Sequence, residues 1–186
     1  MIFSPKTVLL RDGRTVLLRS AVPEDAKALV AFVRAADTES RGLAREPGEF
    51  TMTEEQERAY LLGRQDDPLS LFLVAEADGA VAATANAHAV RNLSRFRHRA
   101  LMAVAVRQPY WRQGLGRLMM TEALRWCKGA GFEQAELDVV ASNHAAVALY
   151  ESLGFETTGM YKRGFKYSDG TYADEYFMWL PLDRIR

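Results

Sequence analysis

The most constraining feature of this chain is an apolar segment that runs into a glycine turn and then an amphipathic segment. Residues 100–106 read Ala-Leu-Met-Ala-Val-Ala-Val and are followed by a basic loop at residues 107–113 and by Gly114-Leu115-Gly116. Apolar residues then recur at i, i+3, i+4 and i+7, namely Met120, Ala123, Leu124 and Cys127. The apolar run predicts a buried strand, and the later spacing predicts one face of a helix. Residues 100–128 are therefore predicted to form a strand, a turn and a helix.

The N-terminus of this predicted helix is a candidate phosphate site. The first N–H groups of a helix have no partner within the helix, and the helix dipole places partial positive charge there. Gly114 and Gly116 have no side chain to keep a ligand from the backbone, and Arg112 and Arg117 flank the turn. No Gly-Lys-Ser/Thr follows, so the motif is not a P-loop, and Met119 replaces the third glycine of the dinucleotide fingerprint. The alternative is a glycine pair that only permits a tight turn.

Length and composition restrict the class of protein. The 186 residues are predicted to form one domain, residues 1–186. The formal net charge is zero, which gives no general attraction to nucleic acid or to an anionic membrane. Cys127, the single cysteine, excludes an internal disulfide, and its apolar face predicts a core residue rather than a nucleophile. No signal-peptide pattern and no membrane-length apolar run are present, so we expect a cytoplasmic protein without a membrane partner. We predict no metal site.

Turn and cap signals predict the remaining elements. Asp12-Gly13 and Asp78-Gly79 each separate two strands, and Ser168-Asp169-Gly170 separates a third pair. Pro23 and the capping box at residues 53–56 each start a helix, with a loop at residues 37–52 between them. The predicted strands are residues 8–10, 15–19, 69–77, 80–89, 100–106, 134–140, 155–166 and 172–182. The fold class is predicted as α/β: a mixed, mostly antiparallel twisted sheet of about six to seven strands with about four helices covering both faces.

A short helix is predicted after the strand at residues 134–140. Asn143 is placed as its N-cap and Gly154 as its C-terminal glycine. Its apolar stripe consists of Ala146, Leu149, Tyr150 and Leu153. Tyr150 is thus predicted on the inward-facing side of this helix.

Together these two segments resemble the GNAT N-acetyltransferase superfamily. Val104-Ala105-Val106 and the loop at residues 111–116 are similar to its acyl-CoA motif, and Asn143, Leu149-Tyr150 and Gly154-Phe155 are similar to its second motif. Arg19, Pro23-Glu24-Asp25 and residues 174–180 look typical of its small-amine and protein acetyltransferases. The likeness covers residues 16–182, and both motifs occur in the expected order.

The resemblance implies a GNAT-like fold and an acetyl-CoA-dependent N-acetyltransferase. Such an enzyme moves the acetyl group from the thioester to a primary amine of a small molecule or a protein in a ternary complex, with coenzyme A as product. The main chain of the central strand would hold the pantetheine arm, residues 112–117 the diphosphate, and Asn143 the region near the thioester. The cofactor-binding residues implied in this way are Val104, Ala105, Val106, Arg112, Gln113, Gly114, Leu115, Gly116, Arg117, Asn143, Ala146 and Tyr150.

Tyr150 is the predicted catalytic residue. Acetyl transfer requires that the amine lose a proton, that the thioester carbonyl be polarised and that the leaving thiolate be protonated. A tyrosine with an ordinary pKa of about 10 still holds its proton at pH 7, although a core tyrosine is the alternative interpretation. The base is not identified, because relatives often carry a glutamate on the central strand and Met102 stands near that place here. His88, Asp174, Glu175 or a water chain are the candidates.

Other interpretations are left open. Trp111 stands where the superfamily usually has Arg or Gln, and we expect backbone contacts, helped by Arg112 or Gln113, to preserve phosphate binding. The arginines of residues 91–99 could attract an acidic ligand, but a solvated loop is favoured and nucleic-acid binding is not expected. A non-catalytic acyl-CoA sensor is the alternative function. The acceptor and any homodimer are not predictable from the sequence.

Overall fold

Two Asp-Gly turns organise the first half of the sheet. A computed structural model describes residues 3–185 of the chain. Gly13 and Gly79 both have positive φ, 87° and 75°, which glycine adopts without steric cost. The strands on either side of each turn pair antiparallel, as the sequence predicts. They are β1 (Lys6–Leu9), β2 (Thr15–Ser20), β3 (Ser70–Ala77) and β4 (Ala80–Ala89).

Helices α1 (Ala26–Glu39) and α2 (Glu54–Gln65) lie between the two hairpins. Thr53 Oγ1 accepts from the Gln56 N–H at 3.3 Å, and Gln56 Oε1 accepts from the Thr53 N–H at 2.9 Å, which confirms the capping box. The predicted loop began at Asp37, but α1 continues through Glu39. Asp37 is buried, and its carboxylate accepts a hydrogen bond from Arg45 at 2.9 Å, so it belongs to the inner face of the helix.

A partly buried ion cluster attaches the residues just before α1 to the sheet. Arg19 on β2 donates to both oxygens of Asp25, at 2.6 and 2.7 Å, and to Glu76 on β3 at 2.9 Å. Asp25 also accepts the Val22 N–H at 2.8 Å. Burial opposes ionisation of Asp25, but the hydrogen bonds from Arg19 and Val22 outweigh it and lower the pKa of this carboxyl. The Arg19 and Asp25 motif residues therefore have a structural role here.

The second half of the chain completes the sheet with two crossover helices. Its elements are β5 (Arg99–Val106), α3 (Leu115–Gly129), β6 (Gln134–Val140), α4 (His144–Ser152), β7 (Glu156–Lys166) and β8 (Tyr172–Pro181). The strand order is β1-β2-β3-β4-β5-β6-β8-β7. Within residues 3–185, β5 and β6 form the one parallel pair, and all other neighbours are antiparallel. The described strands number eight, slightly more than the six to seven expected for the sheet, and each corresponds to one of the eight predicted strand segments.

The helices cover the two faces unequally. α3 packs on β3, β4 and β5 from one side, while α1 and α2 pack on β3 and β4 from the other. On β6, Ala135, Leu137 and Val139 are buried, whereas Asp138 is exposed. The predicted helices on both faces of the sheet are confirmed, while the polar side of β6 faces solvent.

The sequence predicts that Cys127 is a core residue, and the structure confirms this position. Cys127 lies on the inner face of α3 and is fully buried, and burial raises the pKa of its thiol to about 12, so it stays protonated and unreactive at neutral pH.

Within residues 3–185, no helix combines the length and the apolar character needed to cross a bilayer.

Candidate functional site

The site is built around a gap between β5 and β6. The two strands pair only from Arg99 to Leu101, against Gln134 to Glu136, and separate beyond that point. The Arg107 N–H donates to the Ala82 carbonyl on β4 at 3.0 Å. Because main-chain groups alternate in direction along a strand, those of Val104 and Val106 point away from β4, into the gap. This stretch of β5 therefore offers an unpaired strand edge.

The N-terminus of α3 opens at the end of that edge. Gly114 is the N-cap, with φ of 88° and no side-chain cap, and the first helical bond runs from the Leu118 N–H to the Gly114 carbonyl at 3.0 Å. The N–H groups of Leu115, Gly116 and Arg117 thus precede the hydrogen-bonded part of the helix. A methyl group on Gly116 would lie 3.4 Å from Leu149 Cδ2 on α4. α4 is therefore packed against the first turn of α3.

The two arginines near this helix mouth have different surroundings. Arg117 lies on the first turn of α3, and its guanidinium donates to Ser152 Oγ on α4. Ser152 in turn donates to the Leu149 carbonyl at 2.6 Å. The Arg117 side chain therefore braces α3 against α4. Arg112 is exposed in a left-handed conformation, with φ of 61°, and keeps its position beside the turn.

The loop between β5 and α3 is held from two directions. Arg107 forms an ion pair with Glu39 at the end of α1 at 2.8 Å, and Glu39 also accepts the Gln108 N–H at 2.7 Å. The Trp111 indole N–H donates to the Val106 carbonyl at 2.7 Å. Trp111 therefore folds the loop back onto the end of β5 and uses one acceptor position of Val106, while the main-chain groups of Val104 and the Val106 N–H remain directed into the gap.

Asn143 occupies the start of α4, next to the gap. Its Oδ1 accepts the Ala146 N–H at 3.2 Å, which confirms the predicted N-cap. Its Nδ2 lies against Gly42 so closely that a methyl group on Gly42 would clash with it. The loop after α1 therefore contacts the residue that the sequence assigns to the thioester region.

Tyr150 has a buried ring and an unbonded hydroxyl. The side chain is 7% exposed, and its ring packs edge-on against Phe155 with centroids 5.9 Å apart. Among residues 3–185 its hydroxyl has no hydrogen-bond partner, although the oxygen is not sealed from solvent. Burial raises the pKa of Tyr150 to about 12, so the hydroxyl holds its proton throughout the neutral range.

Three carboxylates line the solvent-facing side of β6 and β8. Register pairs Asp138 with Phe177 and Val140 with Glu175, so Asp138 and Glu175 are diagonal neighbours on one face. Partial desolvation and then the charge of Glu136 raise the pKa of Asp138, and burial and then Asp138 raise the pKa of Glu175. Glu136 differs because Arg99 and Gln134 donate to it at 2.6 Å; burial opposes ionisation, but these bonds lower its pKa.

Asp138 is a candidate that the sequence interpretation missed. It lies on β6 just beyond the point where β5 and β6 separate. Beside it, a shallow cavity of about 350 Å³ is lined in part by Phe177 and Trp179. The alternation of polar and apolar residues over 134–140 was the available signal, since it marks one open face on this strand.

The predicted base candidates occupy different surroundings. His88 lies on β4 and pairs with Leu101 on β5, so β5 separates His88 from the gap; its buried Nδ1 has no partner within residues 3–185, and burial lowers its pKa. Asp174 accepts from Lys162 at 2.8 Å and from the Arg163 N–H at 2.9 Å, and the Lys162 bond is the main cause of its lowered pKa. The structure therefore brings only Glu175, of these three, beside Asp138.

The loop after α1 also crosses to the β7–β8 turn. Arg41 donates to Asp169 at 2.9 Å, and its guanidinium lies 4.2 Å from the ring centre of Tyr167. The Ser168 N–H donates to Glu46 at 2.8 Å. With Glu39 tied to the end of β5, this loop spans from β5 past Asn143 to β8. The arch defined by residues 40–46 and 167–171 therefore bridges the two sides of the gap.

The basic segment at residues 91–99 lies away from the helix mouth, in the loop between β4 and β5. Arg97 donates to Asn92 at 2.9 Å, and Arg99 pairs with Glu136. Arg91 and Arg95 are exposed. This arrangement is that of a solvated loop, the interpretation favoured from the sequence.

Comparison with known proteins gives one consistent result. The model of the Acetyltransferase (GNAT) family matches residues 31–155. A [ribosomal protein bS18]-alanine N-acetyltransferase of Escherichia coli (strain K12) is 39% identical over 82 residues, which is 44% of this chain and 55% of that protein. The match thus spans about half the length of this curated relative.

Two solved structures have a similar fold over nearly their full length. An acetyltransferase of the GNAT family from Streptococcus pneumoniae superposes with a TM-score of 0.85 and 30% identity, covering 89% of this chain and 99% of that one. A putative acetyltransferase from Salmonella typhimurium, solved with its cofactor acetyl-CoA, gives a TM-score of 0.79 at 24% identity over 91% and 95% of the two chains.

Proposed function

Because the chain belongs to the acetyltransferase (GNAT) family, we propose that it transfers an acetyl group from acetyl-CoA to a primary amine in a ternary complex. The observation that carries the proposal is the packing of α4 on the first turn of α3, beside the unpaired edge of β5. That packing brings the helix carrying Tyr150 to the same gap as the helix mouth at Gly114. The family membership favours an enzyme over an acyl-CoA sensor.

The residues present fit the cofactor. When bound, acetyl-CoA supplies the activated acetyl thioester. The main-chain groups of Val104 and the Val106 N–H would hold the pantetheine amides as a partner strand would. The N–H groups of Leu115, Gly116 and Arg117 would bind the diphosphate, where the dipole of α3 favours negative charge.

Tyr150 would act as the general acid. Its pKa of about 12 keeps the proton on the hydroxyl at neutral pH, and no other described residue competes for that proton. Donation from Tyr150 Oη to the departing sulfur would prevent release of a free thiolate, and a positioned acid of this kind is worth about 10² to 10⁴ in rate. On α4, Ala146 lies one turn before Tyr150 and Asn143 two turns before it, and both would lie near the thioester in this arrangement.

Asp138 would act as the general base, directly or through a water molecule. Its raised pKa makes it a better proton acceptor than an ordinary aspartate, and Arg99 does not neutralise it as it does Glu136. Glu175 beside it supports the same chemistry by adding negative charge that attracts an ammonium group. The acceptor would therefore reach the thioester from the open face of β6, beneath the arch.

For the acceptor, a protein amino group is favoured over a small amine. The support is the similarity to [ribosomal protein bS18]-alanine N-acetyltransferases, together with an open sheet face rather than a closed pocket beside Asp138. The test is a screen of peptides with free N-termini, free amino acids and polyamines, monitoring thiol release from acetyl-CoA and acetylated product by mass spectrometry. We expect turnover with peptides first; no turnover with any amine, despite cofactor binding, would overturn the proposed activity.

A further inference from the structure

The turn between β1 and β2 is docked on the loop that precedes α3. Arg14 Nη2 donates to the Pro109 carbonyl at 2.6 Å, and the Arg14 guanidinium lies 4.1 Å from the ring centre of Tyr110. Asp12 holds the same guanidinium at 2.6 and 2.9 Å. The stack, the ion pair and the carbonyl contact act together and hold this turn against the loop that leads to the helix mouth.

Arg11, in this turn, presents a free cation to the helix mouth. A methyl group on Gly114 would lie 3.8 Å from Arg11 Nε, with no other atom as near. The Arg11 side chain is exposed, and among residues 3–185 it makes no ion pair or hydrogen bond. Arg11 thus differs from two nearby arginines that are paired with carboxylates: Arg14 pairs with Asp12, and Arg107 pairs with Glu39.

We propose that Arg11 binds a phosphate group of coenzyme A, so that the β1–β2 turn forms one wall of the cofactor site. The inference rests on the proposed function, since it needs the cofactor at this mouth. A guanidinium matches phosphate oxygens with two parallel N–H groups, which the backbone N–H groups of α3 do not supply from that side. Arg11 precedes residues 31–155, the segment that the family model matches, and the sequence motifs gave no sign of it.

The test is calorimetric titration of the wild type, Arg11→Gln and Arg95→Gln with coenzyme A and with dephospho-coenzyme A, which lacks the 3′-phosphate. Arg95 is the matched control because it is also an exposed arginine, and it lies in the β4–β5 loop, away from the helix mouth. We expect Arg11→Gln to weaken coenzyme A binding about fivefold, as for loss of an exposed charge contact, and Arg95→Gln to leave it unchanged. Arg11→Lys should retain part of the affinity.

The two ligands identify the phosphate that Arg11 contacts. Equal weakening of both ligands by Arg11→Gln assigns the diphosphate, and weakening of coenzyme A alone assigns the 3′-phosphate. Unchanged affinity in Arg11→Gln, or equal weakening in Arg95→Gln, overturns the inference while leaving the cofactor site intact. If the wild type bound neither ligand, the proposed function itself would fail.

Discussion

The indole N–H of Trp111 donates a hydrogen bond to the carbonyl oxygen of Val106, 2.7 Å away. This bond connects the loop before α3 to the last residue of the unpaired β5 edge. The superfamily usually has Arg or Gln at position 111, and each of those side chains also carries N–H donors. Trp111 therefore keeps an N–H donor at this position, although its side chain differs in shape from Arg and Gln.

The first prediction concerns this bond. Trp111→Phe keeps an aromatic ring but removes the donor, so the loop loses an anchor worth about 1 kcal/mol. We expect KM for acetyl-CoA to rise about fivefold with kcat nearly unchanged, because the loop holds the cofactor rather than the reacting atoms. Trp111→Gln restores a donor and should recover most of the affinity. Steady-state kinetics of both variants check this, and a wild-type KM in Trp111→Phe would contradict it.

The second prediction concerns the different roles of Asp138 and Glu136, the two carboxylates of β6. Asp138→Asn should lower kcat about 100-fold, because the amide accepts no proton. The fold makes ionisation of Asp138 unfavourable, since its folded pKa lies above the unfolded value; the substitution should therefore leave the neutral-pH melting temperature unchanged or slightly higher. Wild-type activity should fall as the pH drops through this raised pKa.

Glu136→Gln is the matched control for Asp138→Asn. It breaks the bidentate pair with Arg99, so it should lower the melting temperature while retaining most of the turnover. Full activity in Asp138→Asn would contradict the role of Asp138 as general base and would leave Glu175 as the next candidate.

The third prediction concerns the partly buried ion pair of Asp25 and Arg19. Asp25→Asn should cost about 2 kcal/mol of unfolding free energy at pH 7, less than for a fully buried pair because the Arg19 side chain stays 23% exposed. The folded pKa of Asp25 is below its ordinary value, so its stabilisation is present above the unfolded pKa and is lost as the pH falls through the folded one.

The difference between the wild type and Asp25→Asn should therefore close at acid pH. Urea unfolding at several pH values measures it. A difference that stayed constant between neutral and acid pH would show that the charge of Asp25 contributes nothing to stability.

Much of the fold was predictable because local signals and tertiary structure agree. The Asp-Gly turns, the capping box at Thr53 and the N-cap at Asn143 each satisfy nearby backbone groups, so a short stretch of sequence carries the information. The strand, turn and helix at residues 99–129 formed for the same reason.

The missed features depend on contacts between distant parts of the chain. The bond from Arg117 to Ser152, the arch from Arg41 to Asp169 and the position of Arg11 beside Gly114 all need the folded topology. Asp138 was missed for another reason: the alternating polar and apolar pattern of residues 134–140, which marks one open face on this strand, was not used to look for site residues.

The most direct test of the account is the turnover of Tyr150→Phe with an identified amine acceptor. Because the Tyr150 hydroxyl has no hydrogen-bond partner within residues 3–185, its removal should not change the melting temperature or the KM for acetyl-CoA. We expect kcat to fall about 100-fold, the loss expected for a missing general acid. A Tyr150→Phe enzyme with wild-type kcat would contradict it.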